Sequence, residues 1–393
     1  MADFQSFLSV VERLKSVDAD LFLFEVCDFF GRPQTVCVSR SKLEEAVEDG
    51  VELPVRAVVK ENGGISSEFF DKICTLRADP TGAILRHPFH RSMAYVLAEP
   101  YIHGGPMTSY SRCVARKQLS RLAELGFTLK SSFRLGFSLK ARKDDFERFN
   151  REVLIKQFFD FSDRIGKDFE VESLHAGTAA DRMDGTYKAV PGIKGADYAQ
   201  YFKTFIREAA GTFLYDVSFL ENPYLLYFRH SLWDANGKKD LTTDPDSPLG
   251  LSEAAQHWMA GILEHMPAIT RFTFPTTSCW PASEPLAPNN RWHKDSTGSS
   301  LRLRVGGEGQ TFVETRQGTG RCNPYLLMAA VVAAGIDGIE KKLPLPEAGT
   351  DGKEMPSSVD KATEAFKADE VLMAAFVPEK DFLDLMEGTL SYM

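Results

Sequence analysis

A long alternation of apolar and polar residues constrains the fold of this chain more than any other feature of its sequence. From Phe127 to Leu139 every odd position is apolar except Ser131. The even positions carry polar residues or glycine, among them Arg134 and Gly136. Because successive side chains of a β-strand point to opposite faces, this pattern predicts one long strand with a buried odd face. Its even face points away from that core.

Helices and strands are predicted to alternate on both sides of this strand. Apolar residues at helical spacing, often followed by glycine, predict helices over 4–14, 111–125, 146–165, 196–210 and 252–266, after Asn323-Pro324, and from Val359. Short apolar runs predict strands over 21–27, 35–38, 169–175, 212–219, 224–230, 301–305 and 311–315.

The first part of the chain is predicted to form a small mixed domain. The turn sequence Phe30-Gly31-Arg32-Pro33 separates the first two strands, so we expect a hairpin there. Ser41 is predicted to cap a short helix that Gly50 ends. The segment 99–106 is rich in glycine and proline and indicates a linker. We therefore expect one domain over 1–98 and a second over 106–393.

Composition is that of an ordinary cytoplasmic globular protein. The 393 residues are 43% hydrophobic and 26% charged, which allows a large core without disulfides. The six cysteines form no C-x-x-C pair, which argues against a zinc site and favours a reducing compartment. No apolar run suits a signal peptide or a membrane span. A net charge of −9 disfavours nucleic acid, so we expect neither nucleic-acid nor membrane partners.

Motifs that carry chemistry are few. His87 and His90 are spaced H-x-x-H, but the proline between them favours a loop with ordinary histidines. The run Gly306-Gly307-Glu308-Gly309 has no helix after it, so a hairpin turn is favoured over a phosphate-binding loop. Glu314 and Arg316 share a strand face and suit either ligand binding or a surface ion pair. The basic side of the helix over 111–125 is predicted to be solvated; its members are Arg112, Arg116, Lys117 and Arg121.

Several blocks resemble class I glutamine synthetases in order and spacing. They are Ser231-Leu232-Trp233-Asp234, Gly250-Leu251-Ser252-Glu253, Gly261-Ile262-Leu263-Glu264-His265, Pro275-Thr276, and Asn323-Pro324-Tyr325-Leu326 with the segment 333–339. Asp28-Phe29-Phe30-Gly31-Arg32 is similar to a segment of the family's N-terminal domain. Within the family, the likeness is strongest to the lengsin branch, through 115–122, 126–129 and 230–234.

The resemblance implies an α+β fold in which an N-terminal β-grasp domain precedes a larger α/β domain of the glutamine synthetase catalytic type. It also implies assembly into stacked rings with active sites shared between neighbouring subunits. Likeness to the lengsin branch implies a cytoplasmic role with intermediate filament proteins during differentiation of lens cells. We therefore expect a homo-oligomer with cytoskeletal partners.

The resemblance also assigns the positions that hold two divalent metals in active members of the family. The paired glutamates of the first metal strand are here Arg134 and Gly136. A further glutamate is replaced by Gly177, and the metal-binding histidine by Tyr227. Another position that holds glutamate in the family is here the shorter Asp184. Glu314 and Arg316 are kept, but a neighbouring position that holds arginine in the family is Phe312. Because Mg²⁺ requires oxygen ligands, most of the expected coordination is lost, and we expect no bound metal or cofactor.

Arg134 would also repel a metal ion at this site. A unit positive charge ~4 Å from a dication costs ~8 kcal/mol at an effective dielectric constant of about 20. We hypothesise that Arg134 takes over the positive charge of the metal and pairs with Glu314.

The sequence favours an inactive, oligomeric scaffold or chaperone-like protein. Glu314 and Arg316 leave open an ATP-dependent glutamate–ammonia or carboxylate–amine ligase that uses ATP with Mg²⁺ or Mn²⁺ at an altered site. A regulatory subunit that assembles with an active synthetase is a further alternative. A fold kept only for its stability, without a role for the old site, also fits the sequence.

Overall fold

The structure is a computed structural model of the chain. It describes residues 10–59, 72–82, 84–87, 89–141, 153, 155–160, 169–176, 182–219, 226–280, 289–295, 298–307 and 309–376.

A hairpin and its neighbours form the first sheet. Its strands are β1 (Leu21–Cys27), β2 (Pro33–Ser39), β3 (Val51–Pro54), β4 (Ile73–Ala78), β5 (Ile84–Arg86), β6 (Met93–Ile102) and β7 (Gly105–Pro106). The main order is β2-β1-β6-β4-β3, with β1 and β6 parallel and with β5 and β7 paired to β6. The carboxylate of Asp28 fixes the turn after β1 by accepting the backbone N–H groups of Phe30 and Arg32. The predicted hairpin is confirmed.

Two local predictions in this region are wrong. Ser41 lies within a short 3₁₀ turn over Arg40–Lys42, so the helix begins only at Leu43 and has no side-chain cap. The segment 99–106 is not an irregular linker, because β6 continues to Ile102 and pairs with β7. His103 and Gly104, both at positive φ, make the tight turn between these strands. The first sheet therefore extends to Pro106, and the division of the chain into domains stays a prediction.

The second sheet is built around the long strand that the alternation predicts. Its strands are β8 (Phe127–Ala141), β9 (Val171–Ala176), β10 (Arg182–Tyr187), β11 (Val190–Pro191), β12 (Tyr215–Ser218), β13 (Leu226–Asp234), β14 (Trp292–Lys294), β15 (Leu301–Arg304) and β16 (Phe312–Thr315). The main order is β14-β15-β16-β13-β8-β10-β9, with β11 and β12 paired to β8. The strand predicted at 127–139 is confirmed.

Helices accompany both sheets, and those over Ser111–Glu124 and Lys194–Thr212 contact β8. They are α1 (described over 10–15), α2 (Leu43–Glu48), α3 (Val55–Val59), α4 (Ser111–Glu124), α5 (described over 155–160), α6 (Lys194–Thr212), α7 (Glu253–Glu264), α8 (Met266–Thr273), α9 (Pro324–Lys341), α10 (Val359–Ala368) and α11 (Glu370–Phe376). Ser252 and Asn323 cap α7 and α9 with their side chains, as the sequence indicates. Residues 4–9 and most of the helix predicted at 146–165 lie outside the described residues.

The core lies between the odd face of β8 and the helices α4 and α6. Leu129, Phe133, Leu135 and Phe137 on that face are fully buried. Burial of such side chains contributes about 1.5–3 kcal/mol each. No helix in the described ranges is long and apolar enough to cross a lipid bilayer.

A close helix crossing supports this core. Where α7 meets α9, a Cβ on Gly261 would lie 2.2 Å from the carbonyl oxygen of Ala334 and would also approach the backbone of Gly338. Only glycine permits that approach, which accounts for glycine at both positions.

A buried ion cluster joins the first sheet to the helices α4 and α6. We call Arg112, Arg116, Asp79, Glu99 and Asp197 the Arg112 cluster. Arg112 Nη1 lies 2.5 Å from Asp79 and 2.7 Å from Glu99. Its Nε and Nη2 donate to the two oxygens of Asp197 at 2.8 and 3.0 Å. The prediction of a solvated basic face is therefore wrong for Arg112, whose side chain is 1% exposed, because these carboxylates neutralise its charge.

Candidate functional site

Strand register brings most of the predicted metal positions onto the even face of β8. Tyr227 on β13 lies directly opposite Arg134, and Asp184 on β10 lies directly opposite Gly136. Residues directly opposite in a sheet share a face. Gly177 lies outside the described residues.

The same face continues across the next strands. Glu314 on β16 lies opposite Arg229 on β13 and opposite Arg302 on β15. Arg316 follows Glu314 by two residues, and its guanidinium group lies against the same carboxylate. We call Glu314, Arg229, Arg302 and Arg316 the Glu314 cluster.

Arg134 pairs with Asp184. Its Nε donates a short hydrogen bond to Asp184 Oδ1, and the two side chains are 22% and 7% exposed. Burial alone would lower the pKa of Arg134, but the hydrogen bond and charge of Asp184 raise it above its usual value. The guanidinium group is therefore a permanent charge at a position where the family resemblance implies a metal ligand.

The hypothesis that Arg134 pairs with Glu314 is wrong. The strand β13 lies between β8 and β16, so these two residues are separated by two strand spacings of about 4.8 Å each. Asp184 is nearer because β10 is the direct neighbour of β8.

Glu314 is enclosed by arginines. Its side chain is 0% exposed, and its Oε1 accepts from Arg229 Nε at 2.9 Å. Arg302 Nη2 makes a short ion pair with Oε2, and Arg316 Nε lies 3.5 Å from the same oxygen. Burial, opposed by the charge of Glu314 and reinforced by that of Arg316, lowers the pKa of Arg302. One carboxylate therefore forms ion pairs with three guanidinium groups.

Tyr227 links the two ion pairs. Arg316 Nη2 donates to its hydroxyl oxygen at 2.8 Å, and the Arg316 guanidinium carbon lies 4.4 Å from the ring centroid. The guanidinium carbon of Arg134 lies 5.5 Å from the same ring. Both distances suit cation–π contacts. The tyrosine thus supports two positive charges at the position that the resemblance assigns to a metal-binding histidine.

A cavity of about 260 Å³ opens beside the Glu314 cluster. Arg229 and Lys130 supply cations to its lining, Ser132 and Ser231 supply hydroxyls, and Glu172 supplies a carboxylate. Further out, Lys130 Nζ lies 3.2 Å from the centroid of the Trp233 ring. The even face is therefore accessible, cationic and polar.

These residues do not fit a pair of divalent metals. Mg²⁺ needs carboxylate, carbonyl or water oxygens in near-octahedral geometry. Asp184 and Glu314 are bound by arginines, Glu172 lies apart from them at the cavity, and Gly136 offers no side-chain ligand. Within the described ranges, no group of three or more His, Cys, Asp or Glu side chains is arranged to hold a metal ion.

Arg229 and Arg302 are the functional residues that sequence reasoning missed. Arg229 lies two residues after Tyr227 and so shares its strand face, which the alternation along β13 could have indicated. Arg302 lies between the fully buried Leu301 and Leu303 on β15, and this alternation could have indicated that Arg302 points to the opposite face.

Two further motifs lie at local turns. The ring nitrogen Nδ1 of His87 accepts the backbone N–H groups of Phe89 and His90, both at 3.2 Å, which orders the turn there. Gly306, Gly307 and Gly309 lie between the antiparallel strands β15 and β16, and Gly309 also lines the cavity. The predicted hairpin turn is confirmed.

Comparison with known proteins agrees with this fold. The family model for the glutamine synthetase catalytic domain matches residues 154–384. Lengsin of Canis lupus familiaris is 27% identical over 318 residues, covering 73% of this chain and 55% of lengsin. The chain thus spans little more than half the length of that relative. The glutamine synthetase of Thermus thermophilus is 24% identical over 421 aligned positions, covering 93% of this chain and 90% of the enzyme.

A solved structure described as "GmaS/ADP complex-Conformation 1" shares the fold, with a TM-score of 0.82 at 18% identity. The match covers 97% of this chain and 94% of the other. The predicted likeness to lengsin is confirmed by the relatives found. Because the catalytic-domain model matches more than half of its residues, this chain belongs to the glutamine synthetase family.

Proposed function

We propose that this chain is a non-catalytic member of the family, a cytoplasmic oligomeric scaffold or chaperone-like partner of intermediate filament proteins. The observation that carries the loss of catalysis is the pairing of Asp184 and Glu314 with arginines. Asp184 is bound by Arg134, and Glu314 is fully buried among three guanidinium groups. A dication would have to break these pairs and remain beside the positive charges left behind.

The electrostatic cost of binding a metal ion at this face is large. Close approach of one guanidinium to a dication costs several kcal/mol even at a high effective dielectric constant. Catalysis of phosphoryl transfer in this family depends on cations and on placement of the reacting groups.

A γ-glutamyl transfer assay with Mn²⁺ tests the loss of activity. We expect the purified protein to give no turnover above a blank without protein. Steady turnover, proportional to protein concentration and abolished by Glu314→Gln, would overturn the proposal.

A variant with three family-like side chains provides the matched comparison. Arg134→Glu, Gly136→Glu and Tyr227→His together restore oxygen and imidazole ligands to the even face. We expect the free Mn²⁺ signal in electron paramagnetic resonance to fall with this variant and to stay unchanged with the wild type. Equal Mn²⁺ binding by both proteins would contradict the assignment of these positions.

An ATP-dependent carboxylate–amine ligase is the second candidate. It is favoured by Asp184, Glu314 and Arg316, which lie on one face of the sheet, with Arg316 against the Glu314 carboxylate. Under this alternative, ATP with Mg²⁺ raises the melting temperature of the protein. We expect no such rise, and a saturable one would favour the ligase.

The scaffold role rests on the likeness to lengsin and needs its own experiments. We expect a homo-oligomer of stacked rings in sedimentation velocity measurements and co-sedimentation with reassembled intermediate filaments. A stable monomer, or equal co-sedimentation with actin filaments as a control, would contradict this role. Co-purification with an active glutamine synthetase would instead favour a regulatory subunit.

A further inference from the structure

We propose that the contact between the first sheet and α6 is a proton-controlled hinge, closed while the buried Glu25 carries a proton and open when Glu25 ionises. The hinge lies apart from the Glu314 cluster, so the inference does not depend on the proposed loss of catalysis.

The hinge has a fixed end at the Arg112 cluster. Asp197 lies in the first turn of α6, where both of its carboxylate oxygens accept hydrogen bonds from Arg112. Further along the helix, the Tyr201 hydroxyl donates to the carbonyl oxygen of Arg86 at 2.9 Å. The Tyr201 ring also meets the Tyr95 ring of β6 edge to face, with their centroids 5.4 Å apart. The helix thus runs along the first sheet from a buried ion pair towards single, weaker contacts.

The controlled end is the contact of Glu25 with the second half of α6. Glu25 on β1 is 2% exposed and lies beside the Thr204 hydroxyl. The charges of Arg207 and Glu208 act on its carboxyl group from the same helix. Arg207 follows Asp197 by ten residues, which places it about 15 Å farther along the helix axis. The contact at Glu25 can therefore open while the Arg112 cluster stays intact.

The closed contact suits a neutral carboxyl group. Glu25 Oε2 and Arg207 Nη1 are both buried without a hydrogen-bond partner. An ionised carboxylate in this place would be buried with too few donors, which is unfavourable. Gln200, one turn before Thr204, is also 2% exposed, and both atoms of its amide group lack partners. Opening lets water reach these groups, so ionisation of Glu25 favours the open contact.

The pKa of Glu25 agrees with this geometry. Burial raises it from 4.5 to about 8, although the charge of Arg207 and the hydrogen bond of Thr204 lower it, and the charge of Glu208 adds to the rise. The folded chain therefore binds this proton more strongly than the unfolded chain, whose pKa is about 4.5. The stabilisation of the closed contact is fully present below about pH 4.5 and is lost as pH rises through about 8.

Other titratable side chains at this contact keep one charge state over the same range. Burial and then the charge of His90 lower the pKa of His87, whose ring stacks on that of Tyr95, to about 4. Burial raises the pKa of the Cys27 thiol to about 12 and the pKa values of Tyr95 and Tyr201 above their usual range. These four groups therefore stay neutral between about pH 5 and pH 8, whereas Glu25 titrates.

Alkylation of a reporter thiol in the full chain tests the hinge. Thr204→Cys places a thiol beside Glu25, the exposed Cys37 is the reference for the pH dependence of the reagent, and Cys74 is buried on β4. Iodoacetamide is applied from about pH 5 to about pH 8.5, and each site is quantified by mass spectrometry. We expect the rate at the introduced thiol, relative to Cys37, to rise by up to about tenfold for each pH unit. The rate at Cys74 relative to Cys37 should stay constant.

The matched control is the same reporter in a Glu25→Gln background. Because glutamine cannot ionise, the relative rate at the introduced thiol should no longer rise with pH. The proposal is overturned if the rise is absent with Glu25, or if it is equally steep in both backgrounds. An equal rise at Cys74 would also overturn it, since that result means global unfolding.

Two charge variants without the reporter give a second test, which remains available if Thr204→Cys does not fold. Urea unfolding across pH is compared between each protein and its Glu25→Gln counterpart, and the difference isolates the Glu25 carboxyl group. Its midpoint should move to higher pH in Arg207→Gln and to lower pH in Glu208→Gln, because these charges act on Glu25 with opposite sign. Midpoints that stay unchanged, or that move in the reverse directions, would overturn the proposal.

Discussion

The Arg112 cluster and the Glu314 cluster are opposite arrangements of the same chemical groups. In the first, two arginines meet three carboxylates, and Arg112 is 1% exposed at the junction of the sheets and helices. In the second, three arginines meet one carboxylate, Glu314 is 0% exposed, and Arg229 lines a cavity. The first buries a cation among anions, and the second buries an anion among cations.

This difference extends to the contacts around each cluster. Asp197 also accepts a hydrogen bond from the Tyr325 hydroxyl at 2.8 Å, so the carboxylates of the Arg112 cluster have further donors. Although burial alone would raise the pKa of Asp79, the charges of Arg112 and Arg116 lower it below its usual value. In the Glu314 cluster the further contact is made by an arginine, because Arg316 Nη2 donates to the Tyr227 hydroxyl at 2.8 Å.

Removal of Arg112 should have the largest effect. Arg112→Ala leaves Asp79, Glu99 and Asp197 buried without their main cation, and we expect a loss of about 3–5 kcal/mol in the free energy of unfolding. Urea unfolding followed by circular dichroism measures this loss. The control is Arg116→Ala, since Arg116 is 40% exposed and its loss should cost no more than about 1 kcal/mol. Equal losses in the two variants would mean that Arg112 is not the centre of the cluster.

Removal of the Glu314 charge should have a smaller effect. Glu314→Gln keeps the shape of the side chain but leaves Arg229, Arg302 and Arg316 without this carboxylate. We expect a loss of about 1.5–3 kcal/mol in the free energy of unfolding, as for other hydrogen bonds to charged groups. Urea unfolding followed by circular dichroism measures it. A loss as large as that of Arg112→Ala would contradict the smaller weight given to this cluster.

The sequence predicted the framework of the site better than its contacts. Alternation along Phe127–Leu139 was enough to place Arg134 and Gly136 on the face of β8 opposite the apolar odd face, because strand periodicity is a local property. The family resemblance supplied Asp184 and Tyr227. The partner of Arg134 could not be predicted, since it depends on which strands are neighbours across the sheet.

The Arg112 cluster was missed for a related reason. Its carboxylates come from a turn, from β6 and from α6, and no local pattern connects Asp79, Glu99 and Asp197. The helix spacing of Arg112 and Arg116 alone indicated a solvated face. Sequence periodicity therefore cannot predict which charged residues pair across the fold, even where the secondary structure is correctly predicted.

A histidine also lies between carboxylates, as Arg112 does, but it loses its positive charge when it is deprotonated. His265 lies between Asp369, 2.6 Å from Nδ1, and Asp337, 3.1 Å from Nε2. Burial alone would lower its pKa, but the hydrogen bonds and charges of these carboxylates raise it above 6.5. The folded state therefore holds the proton more strongly than the unfolded state, whose pKa is about 6.5. The resulting stability is fully present below that pH and is lost as pH rises through the folded pKa.

His265→Gln tests this pH dependence. We expect it to cost about 1.5 kcal/mol at pH values below about 6 and less in alkaline buffer, as measured by urea unfolding across pH. His87→Gln is the opposite control, because burial and then the charge of His90 lower the pKa of His87 to about 4. Its contribution is therefore lost as pH falls from about 6.5 towards 4. The same slope for both variants would contradict the assigned charge states.

Loss of the Tyr227 hydroxyl should have the smallest effect of the four. Tyr227→Phe removes the acceptor for Arg316 Nη2 but keeps the ring that both Arg134 and Arg316 contact. We expect the free energy of unfolding to fall by about 1 kcal/mol, the net value of one hydrogen bond. Tyr227→Leu removes the ring as well and should cost more, because two cation–π contacts are then lost. If the phenylalanine and leucine variants were equally stable, the ring would not support these charges. Of Tyr227 and Glu314, only Glu314 would then stabilise the positive charge of Arg316.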